Sequence, residues 1–255
     1  MTVRADPVRV VILGAGGRMG TSLLRLLPQF PGLRLHAALA APGSASLGRD
    51  SGELAGTAPN GVPVSAELEL AMRGAGLALD FSSAVASAAH VRACAAAGVP
   101  LLLGTTGLGA EMPAILERAA GRIPLLVTAN TSLGMAVLQD LVRQAAVALG
   151  PEFDIQIQDT HHAGKLDAPS GTALALGAAA GHGLTPSAPV GYVSLRGGDV
   201  VGEHEVHFLG QGERLRLGHS ATDRSVFARG ALRAGSWLAR QAPGSYRMGD
   251  VLREK

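Results

Sequence analysis

The densest group of reactive side chains lies in one segment, residues 159–173, whose sequence is DTHHAGKLDAPSGTA. It contains two adjacent histidines, His161 and His162. It also contains Lys165, one of only two lysines in a chain with twenty arginines. Histidine exchanges a proton near neutral pH, and lysine supplies a compact point charge that arginine does not. These residue types predict proton transfer beside a negatively charged ligand.

The same segment ends where an Ala- and Leu-rich helix is predicted to begin. Gly171 and Thr172 stand at that start, and the first amides of a helix have no intrahelical acceptor and attract anions. Together with the histidine pair and the lysine, this helix start predicts a site for a small polyanionic substrate. The alternative is an exposed polar loop that binds nothing.

A second anion-binding feature lies near the beginning of the chain, where residues 14–20 read GAGGRMG. They connect a predicted strand, Val8–Leu13, to a predicted helix over 19–27. A pyrophosphate at a helix N-terminus meets unpaired amides, and glycines let the backbone approach it. Because the glycine spacing is GxxGxxG rather than GxGxxG, a tight strand-to-helix turn without a ligand remains the alternative.

The position that usually distinguishes the two nicotinamide dinucleotides carries no charge here. An acidic residue about 20 positions after the glycine turn commonly binds the adenine ribose. The sequence there is Ala40-Ala41. The choice between NADH and NADPH is therefore open, although Arg18 could meet a 2′-phosphate.

Two further segments follow predicted strands and are placed to line a nicotinamide pocket. They are Gly104-Thr105-Thr106-Gly107 and Ala129-Asn130-Thr131. Ligands of open α/β sheets bind beyond the carboxyl ends of the strands. For each segment taken alone, an ordinary turn is the alternative.

A metal site is not expected. The chain has eight histidines, but His161 and His162 are adjacent and no HExxH or CxxC spacing occurs. Cys94 is the only cysteine, which excludes an intramolecular disulfide and fits a reducing compartment. We expect it to be a small core residue and not a nucleophile.

The first half of the chain alternates short apolar runs with helical segments, which predicts a parallel sheet covered on both faces. The predicted strands are Val8–Leu13, Leu33–Leu39, 77–81, 99–103 and 123–127. The predicted helices between and after them are 86–97, 111–120 and 134–149.

The second half changes to a period of two, over 153–159, 203–209 and 213–219, with a glycine turn at 210–212. A final helix is predicted over 223–242, with Asp223 as its N-cap. The fold class is therefore α/β, a parallel-sheet domain with an inserted α+β mixed-sheet domain. We predict a dinucleotide-binding domain over 1–130 plus 222–255, and a substrate-binding and oligomerisation domain over 131–221.

Composition limits the function classes. The chain has 255 residues, 47% of them apolar and 16% charged, with a formal net charge of +2, so intrinsic disorder is excluded. The arginines are scattered and form no basic stripe, so we expect no nucleic-acid partner. We see neither a signal peptide nor a continuous apolar span of about 20 residues, and expect a cytoplasmic protein without a membrane partner.

The motifs GAGGRMG, GTTG, HHAGKLDAPSGTA and GALRAGSWL follow one another along nearly the whole chain. In these motifs the sequence resembles the 4-hydroxy-tetrahydrodipicolinate reductase (dihydrodipicolinate reductase) family of bacterial lysine and diaminopimelate synthesis. The resemblance implies a Rossmann-like domain completed by the C-terminal helix, and a mixed-sheet domain that assembles homotetramers. It also implies NADH or NADPH as cofactor and a small dicarboxylate as substrate.

The resemblance further implies a role for each matching residue. His161 would be the proton donor and acceptor, and Lys165 a second donor. His162 and the amides of Gly171 and Thr172 would hold the substrate carboxylates. The nucleotide would be contacted by Gly14, Ala15, Gly16, Gly17, Arg18, Met19, Gly104, Thr105, Thr106, Thr128, Ala129, Asn130 and Thr131.

The sequence departs from the family pattern at three places. Ala40-Ala41 replaces an acidic–basic pair, Asp159 stands where a glutamate is common, and the stretch over about 183–193 is shortened. Two other functions remain open: a non-catalytic NAD(P)-binding sensor, and another small Rossmann reductase, such as one acting on a semialdehyde. The sensor would be expected to lack His161 and Lys165, whereas the semialdehyde enzyme would need a cysteine nucleophile or other acid–base groups.

Overall fold

The computed structural model describes residues 6–181 and 189–253, and the chain divides into two compact units. The first unit comprises Met1–Thr131 and Phe227–Lys255, and the second comprises Ser132–Val226. The strands are β1 Val8–Leu13, β2 Leu33–Leu39, β3 Val64–Ser65, β4 Leu77–Asp80, β5 Leu101–Leu103, β6 Pro124–Val127, β7 Asp154–His161, β8 Val190–Arg196, β9 Gly202–Leu209, β10 Arg214–Ala221 and β11 Gly244–Tyr246. The helices are α1 Arg18–Leu26, α2 Ser51–Leu54, α3 Leu68–Met72, α4 Ala84–Ala97, α5 Met112–Ala120, α6 Leu133–Leu149, α7 Gly171–Gly181 and α8 Ser225–Leu238.

The first unit is built on a seven-stranded sheet in the order β11-β6-β5-β4-β1-β2-β3, with all neighbouring strands parallel. The central strands β4 and β5 are buried along their whole length, as continuous apolar runs predict for a sheet covered on both faces. Because the strands are parallel, the turns after β1, β4, β5 and β6 emerge at one edge of the sheet. The predicted Rossmann-like sheet is confirmed.

The second unit contains a mixed sheet in the order β10-β9-β7-β8, in which only β7 and β8 run parallel. Alternate residues of β7 and β9 point to one face, where α6 and α7 pack on them. This core contains Ile155, Ile157, Val206 and Phe208 from the strands. The predicted separate α+β sheet is confirmed, and the alternation has the predicted cause: one face is covered.

The prediction for the C-terminal helix was wrong in extent. Helix α8 ends at Leu238, not at 242, and the chain then forms β11 beside β6. Pro243 cannot donate to a helical hydrogen bond, and the residue before a proline is disfavoured in the helical region, which explains the early end. The helix begins at Ser225, two residues after the predicted cap Asp223, whose Oδ1 accepts from Ser225 N at 2.6 Å.

Other differences are small. The strand predicted over 77–81 ends at Asp80, and the strand predicted over 99–103 begins at Leu101. Strand β8 was not predicted; part of the shortened stretch over 183–193 lies outside the described residues, which omit 182–188. Within the described part of the chain, no helix is long and apolar enough to cross a membrane.

Candidate functional site

The proton-transfer residue implied by the sequence, His161, is the last residue of β7 and is buried. Asp159 lies two residues earlier on the same face of the strand, and its Oδ2 is 3.1 Å from His161 Nδ1. These two atoms are not aligned as a hydrogen bond. A Cβ added at Gly202 would stand 3.1 Å from His161 Nε2, so the glycine leaves that edge of the imidazole uncrowded. No side chain of residue 202 therefore covers Nε2.

Asp159 is fully buried, and its charge is compensated on several sides. Oδ1 accepts from Ser194 Oγ at 2.5 Å, and Oδ2 accepts from Ser170 N at 3.3 Å and from an Arg196 terminal nitrogen at 3.1 Å. Burial by itself raises the pKa of this carboxyl, but the hydrogen bonds and the guanidinium charge lower it further, so the net pKa lies below its usual value. Asp159 is thus an anion beside His161.

Arg196 also holds the loop that carries the lysine. It donates from the same terminal nitrogen to the Asp167 carbonyl at 2.6 Å, and Gly197 N donates to the His161 carbonyl at 3.0 Å. Lys165 Nζ lies 2.8 Å from Asp167 Oδ1. The neighbouring Leu166 is 97% exposed, so the loop is attached at its base while its tip faces solvent.

The proton affinity of His161 follows from these neighbours. Burial lowers its pKa most, the Lys165 charge lowers it further, and the Asp159 charge raises it; the net pKa lies below 6.5. A dicarboxylate bound beside it would add negative charge and raise the pKa, which favours protonation when substrate arrives.

The predicted carboxylate-binding residues also lie in this segment. His162 is half-buried directly after the strand, while Gly171 and Thr172 form the first two positions of α7. Ser170 caps the helix, since its Oγ accepts from Ala173 N at 3.1 Å.

Sequence reasoning missed His204, which is opposite Asp159 in the β7–β9 register and 97% buried. Its Nε2 lies 3.1 Å from Ser170 Oγ, and its ring packs edge-to-face on His161 with centroids 5.1 Å apart. Burial is the largest cause that lowers its pKa, to about 4, so His204 is neutral at neutral pH. The strand pattern carried a signal: alternation in EHEVHF places His204 on the same face as Val206 and Phe208.

Asp159, His161 and His204 present ligand atoms within 4.8 Å of one another, a spacing that could hold a metal ion. The positively charged Arg196 already occupies Oδ2 of the same carboxylate, together with Ser170 N. A cation there would face the guanidinium at short range. These contacts support the prediction that the site uses no metal.

In the first unit, a cleft of about 400 Å³ opens at the carboxyl edge of the parallel sheet. Gly14 has φ +86°, and a Cβ there would come within 2.7 Å of the Phe81 carbonyl oxygen, so only glycine fits. Helix α1 begins after Gly17, which provides no side-chain cap for the first amides. The cleft is lined by Gly14, Gly16, Gly17, Leu39, Ala40, Ala41, Pro42, Ser44, Ala66, Leu68, Phe81, Ser82, Ser83, Ala86, Ala89 and His90.

This cleft fits a nicotinamide dinucleotide. The glycines in its lining and the start of α1 suit a pyrophosphate. Ala40 and Ala41 line it after β2, where the adenine ribose is expected to bind. Among the residues that the structure describes, His90 is the only ionisable one in this lining. No carboxylate in the lining therefore opposes a 2′-phosphate.

The other predicted cofactor residues are outside that lining. Ala15 is buried, with its amide bonded to the Leu39 carbonyl at 2.8 Å, and Arg18 and Met19 begin α1. Two predicted segments follow the neighbouring strands: Gly104, Thr105 and Thr106 come after β5, and Thr128, Ala129, Asn130 and Thr131 come after β6. The Thr131 hydroxyl donates to the Phe227 carbonyl at 2.6 Å.

A buried carboxylate that sequence reasoning missed connects the turns at this edge. Asp80, at the end of β4, is fully buried. Its Oδ1 accepts from Ser82 Oγ at 2.6 Å and Thr105 Oγ1 at 3.3 Å, and its Oδ2 lies 2.9 Å from His90 Nδ1. One side chain thus joins the turn after β4, the turn after β5 and helix α4.

Cys94 is fully buried and bonds Met72 Sδ at 3.7 Å. Burial raises the pKa of its thiol to about 12. It is not a nucleophile, which removes the cysteine that a semialdehyde enzyme would need.

The chain is similar to known proteins in both sequence and structure. Residues 8–131 match the family model described as dihydrodipicolinate reductase, N-terminus, and residues 134–252 match dihydrodipicolinate reductase, C-terminus. The chain is 45% identical to a 4-hydroxy-tetrahydrodipicolinate reductase of Anaeromyxobacter dehalogenans strain 2CP-C, covering 96% of this chain and 97% of that protein. It is 48% identical to the enzyme of the same name from Anaeromyxobacter sp. strain Fw109-5, with the same coverage of both chains.

Among solved structures, the chain resembles a dipicolinate-bound dihydrodipicolinate reductase from Paenisporosarcina sp. TG-14. The TM-score is 0.74 at 23% identity, over 94% of this chain and 97% of that one. At this identity the match supports the fold.

Proposed function

Because this chain belongs to the dihydrodipicolinate reductase family, we propose that it reduces 4-hydroxy-tetrahydrodipicolinate to tetrahydrodipicolinate. The chain is an NAD(P)H-dependent oxidoreductase of lysine and diaminopimelate biosynthesis. The reaction adds a hydride and a proton to the substrate and releases water. The bound nicotinamide supplies the hydride. The protein must therefore bind both cofactor and substrate and supply one proton.

The first unit holds the cofactor. Gly14, Gly16 and Gly17 let the pyrophosphate approach the start of α1, where the amides stabilise its charge. The turns after β5 and β6, with Thr105, Thr106 and Asn130 among their residues, receive the nicotinamide half. Either NADH or NADPH is accepted, because β2 is followed neither by a carboxylate that would select NADH nor by an arginine that would select NADPH.

The second unit holds the substrate. The two carboxylates of the substrate are bound by Lys165, His162 and the amides at the start of α7. His161 donates the proton from Nε2, and the Asp159 carboxylate near Nδ1 stabilises the charged imidazolium before transfer. The dianionic substrate itself raises the proton affinity of His161 on arrival.

The buried arrangement of Asp159, His161 and Arg196 with the Lys165 loop carries this proposal. A non-catalytic nucleotide sensor would have no need of an imidazole with one nitrogen beside a buried carboxylate and the other uncrowded. Nor would it need a lysine whose charge acts on that imidazole.

The direct test is NAD(P)H oxidation with substrate generated in situ from pyruvate and aspartate semialdehyde. We expect oxidation that requires both precursors, the condensing enzyme and this protein. His161→Gln, compared in the same assay, separates catalysis from contamination. Absence of oxidation by wild-type protein that still binds NADH would contradict the proposed reaction and favour the sensor.

The proposal extends to assembly and location. The four-stranded sheet joins subunits into a homotetramer, since Val193 and Leu195 of β8 are half exposed on the face opposite α6 and α7. The first unit is then the dinucleotide-binding domain, and the second binds substrate and other subunits. The enzyme works in the cytoplasm, where Cys94 remains reduced and reduced nicotinamide cofactor is available.

A further inference from the structure

Four polar residues form a row across the covered face of the four-stranded sheet, at the end of its apolar core. They are Ser194, Asp159, His204 and His219, each paired in register with the next. This polar row is buried at Asp159 and His204 and partly exposed at its two ends.

Both histidines of the polar row contact the serine at the start of a helix packed on the sheet. His219 Nε2 lies 3.1 Å from Ser132 Oγ, which caps α6. His204 Nε2 lies 3.1 Å from Ser170 Oγ, which caps α7. The second contact matters for chemistry, because α7 begins with the residues proposed to bind the substrate carboxylates.

We propose that His204 is a positioning residue for the reduction: through Ser170 it fixes the start of α7, and with its ring it fixes the imidazole of His161. This inference rests on the proposed function. It assigns a task to a buried histidine outside the HHAGKLDAPSGTA segment.

Two hydrogen bonds fix the position of Ser170, and the contact with His204 adds a third. The backbone amide of Ser170 donates to Asp159 Oδ2 at 3.3 Å, and its hydroxyl accepts from Ala173 N at 3.1 Å. The contact with His204 Nε2 fixes the remaining direction of the hydroxyl. Asp159 thereby connects Ser170, at the start of α7, to the proton donor His161. His204 sets the side-chain rotamer of Ser170.

The ring of His204 also limits how His161 can turn. The two imidazoles pack edge-to-face, at 79° between planes. His161 therefore has the Asp159 carboxylate near Nδ1, Gly202 beside Nε2 and His204 against its ring. These three neighbours surround the ring and restrict its rotation.

The charge state of His204 suits this task. Because burial keeps its pKa at about 4, it adds no positive charge near Arg196 and does not compete for the carboxylate of Asp159. It also does not draw the substrate carboxylates away from Lys165.

The test compares His204→Asn with His204→Gln. The side-chain amide of glutamine reaches about as far as Nε2 and can keep the contact with Ser170 through its oxygen or its nitrogen, whereas asparagine is too short. We expect His204→Asn to lower kcat/KM for the substrate about 10- to 100-fold, the scale of a small misplacement of reacting groups. Most of that loss should be a higher substrate KM, and His204→Gln should recover part of it. The KM for NADH should be unchanged.

Two further variants separate positioning from general destabilisation. Ser170→Ala should reproduce the rise in substrate KM, and the double variant with His204→Asn should be no worse than the poorer single variant, because both act through one contact. His207→Gln is the matched control: His207 is on the same strand, on the opposite face beside Glu205 at 3.3 Å, and its replacement should leave kinetics unchanged.

The outcomes distinguish this inference from the proposed function. If wild-type protein reduces the substrate but His204→Asn folds and keeps kcat/KM within about twofold, the positioning role is wrong. Losses from His204→Asn and Ser170→Ala that multiply in the double variant would also overturn it. If His204→Asn does not fold, Ser170→Ala and His204→Gln decide the matter: a normal substrate KM in both rejects the inference. Inactive wild-type protein would instead reject the proposed reaction.

Discussion

His161 and Lys165 perform different tasks, and substitutions should show this. His161→Gln removes a proton donor but keeps a polar side chain, so we expect kcat to fall about 10²- to 10⁴-fold with little change in substrate KM. Lys165→Arg keeps the charge but introduces a planar fork that cannot replace a compact ammonium, so activity should remain poor. Steady-state kinetics of the single and double variants, with NADH binding followed by fluorescence, is the measurement.

The combined loss in the double variant should be smaller than the product of the single losses, because both residues serve one transition state. Near-normal turnover of both single variants, with cofactor binding intact, would remove the loop from the chemistry.

The electrostatic coupling of these two residues predicts a pH effect. If His161 must be protonated, kcat/KM for the substrate falls as the pH rises through its free-enzyme pKa, which burial and the Lys165 charge hold below 6.5. Lys165→Met removes a positive charge that disfavours the imidazolium. The falling limb should therefore move to higher pH, whereas Lys165→Arg should leave it in place. A limb that does not move in Lys165→Met would show that another group titrates.

At this scale the sequence predicts His161 and Lys165 as site residues, because reactive types are concentrated in one short segment. It could not find the groups that set their properties. Arg196 and His204 come from β8 and β9, more than 30 residues away, and reach Asp159 only through strand register. The buried Asp80 was missed because its burial, and its contact with Thr105 on the turn after β5, arise only when β4 and β5 pair in the sheet.

At the scale of an element, the residues that follow β2 determine the predicted preference between NADH and NADPH. Ala40 and Ala41 line the cleft but offer neither a carboxylate for ribose hydroxyls nor a guanidinium for a 2′-phosphate. Each such interaction is worth roughly 1–3 kcal/mol. We expect kcat/KM values for NADH and NADPH to differ by less than about a hundredfold, or about 2.7 kcal/mol. A larger preference would mean that another residue, such as Arg18, reads this position.

Introducing the missing charge provides a direct check. Ala40→Asp should shift the ratio towards NADH, because a carboxylate would repel the 2′-phosphate while bonding the ribose hydroxyls. A ratio that does not change would place the ribose elsewhere.

Most elements were predictable because their apolar period was clear; β1 and β2 were predicted with the bounds that the structure shows. The failures have physical reasons. Strand β11 has three residues, Gly244–Tyr246, with no apolar run, and it exists because β6 offers an unpaired edge. Strand β8 has Gly191 beside Gln156, and its residues Tyr192 and Val193 are both exposed, so no clean alternation marks it.

For the whole molecule, we predict a homotetramer formed through the four-stranded sheet. Its inner face is covered by α6 and α7, whereas β8 presents Val193 and Leu195, 49% and 47% exposed, on the outer face. Burial of such apolar side chains between subunits would stabilise the assembly. Light scattering at micromolar concentration should report four subunits, and Val193→Asp with Leu195→Asp should lower that number. A wild-type monomer would contradict this prediction.

The exposed loop that carries Lys165 offers a single cleavage site to a lysine-specific protease. Lys165 is the only lysine before the last residue, and Leu166 beyond it is 97% exposed. A lysine-specific protease should therefore cut the native chain once, into fragments 1–165 and 166–255. These should elute together in gel filtration, because β7 of the first fragment is hydrogen-bonded between β8 and β9 of the second. A bound dicarboxylate should slow the cut, and Lys165→Arg should abolish it, so cleavage itself would report whether the loop is occupied.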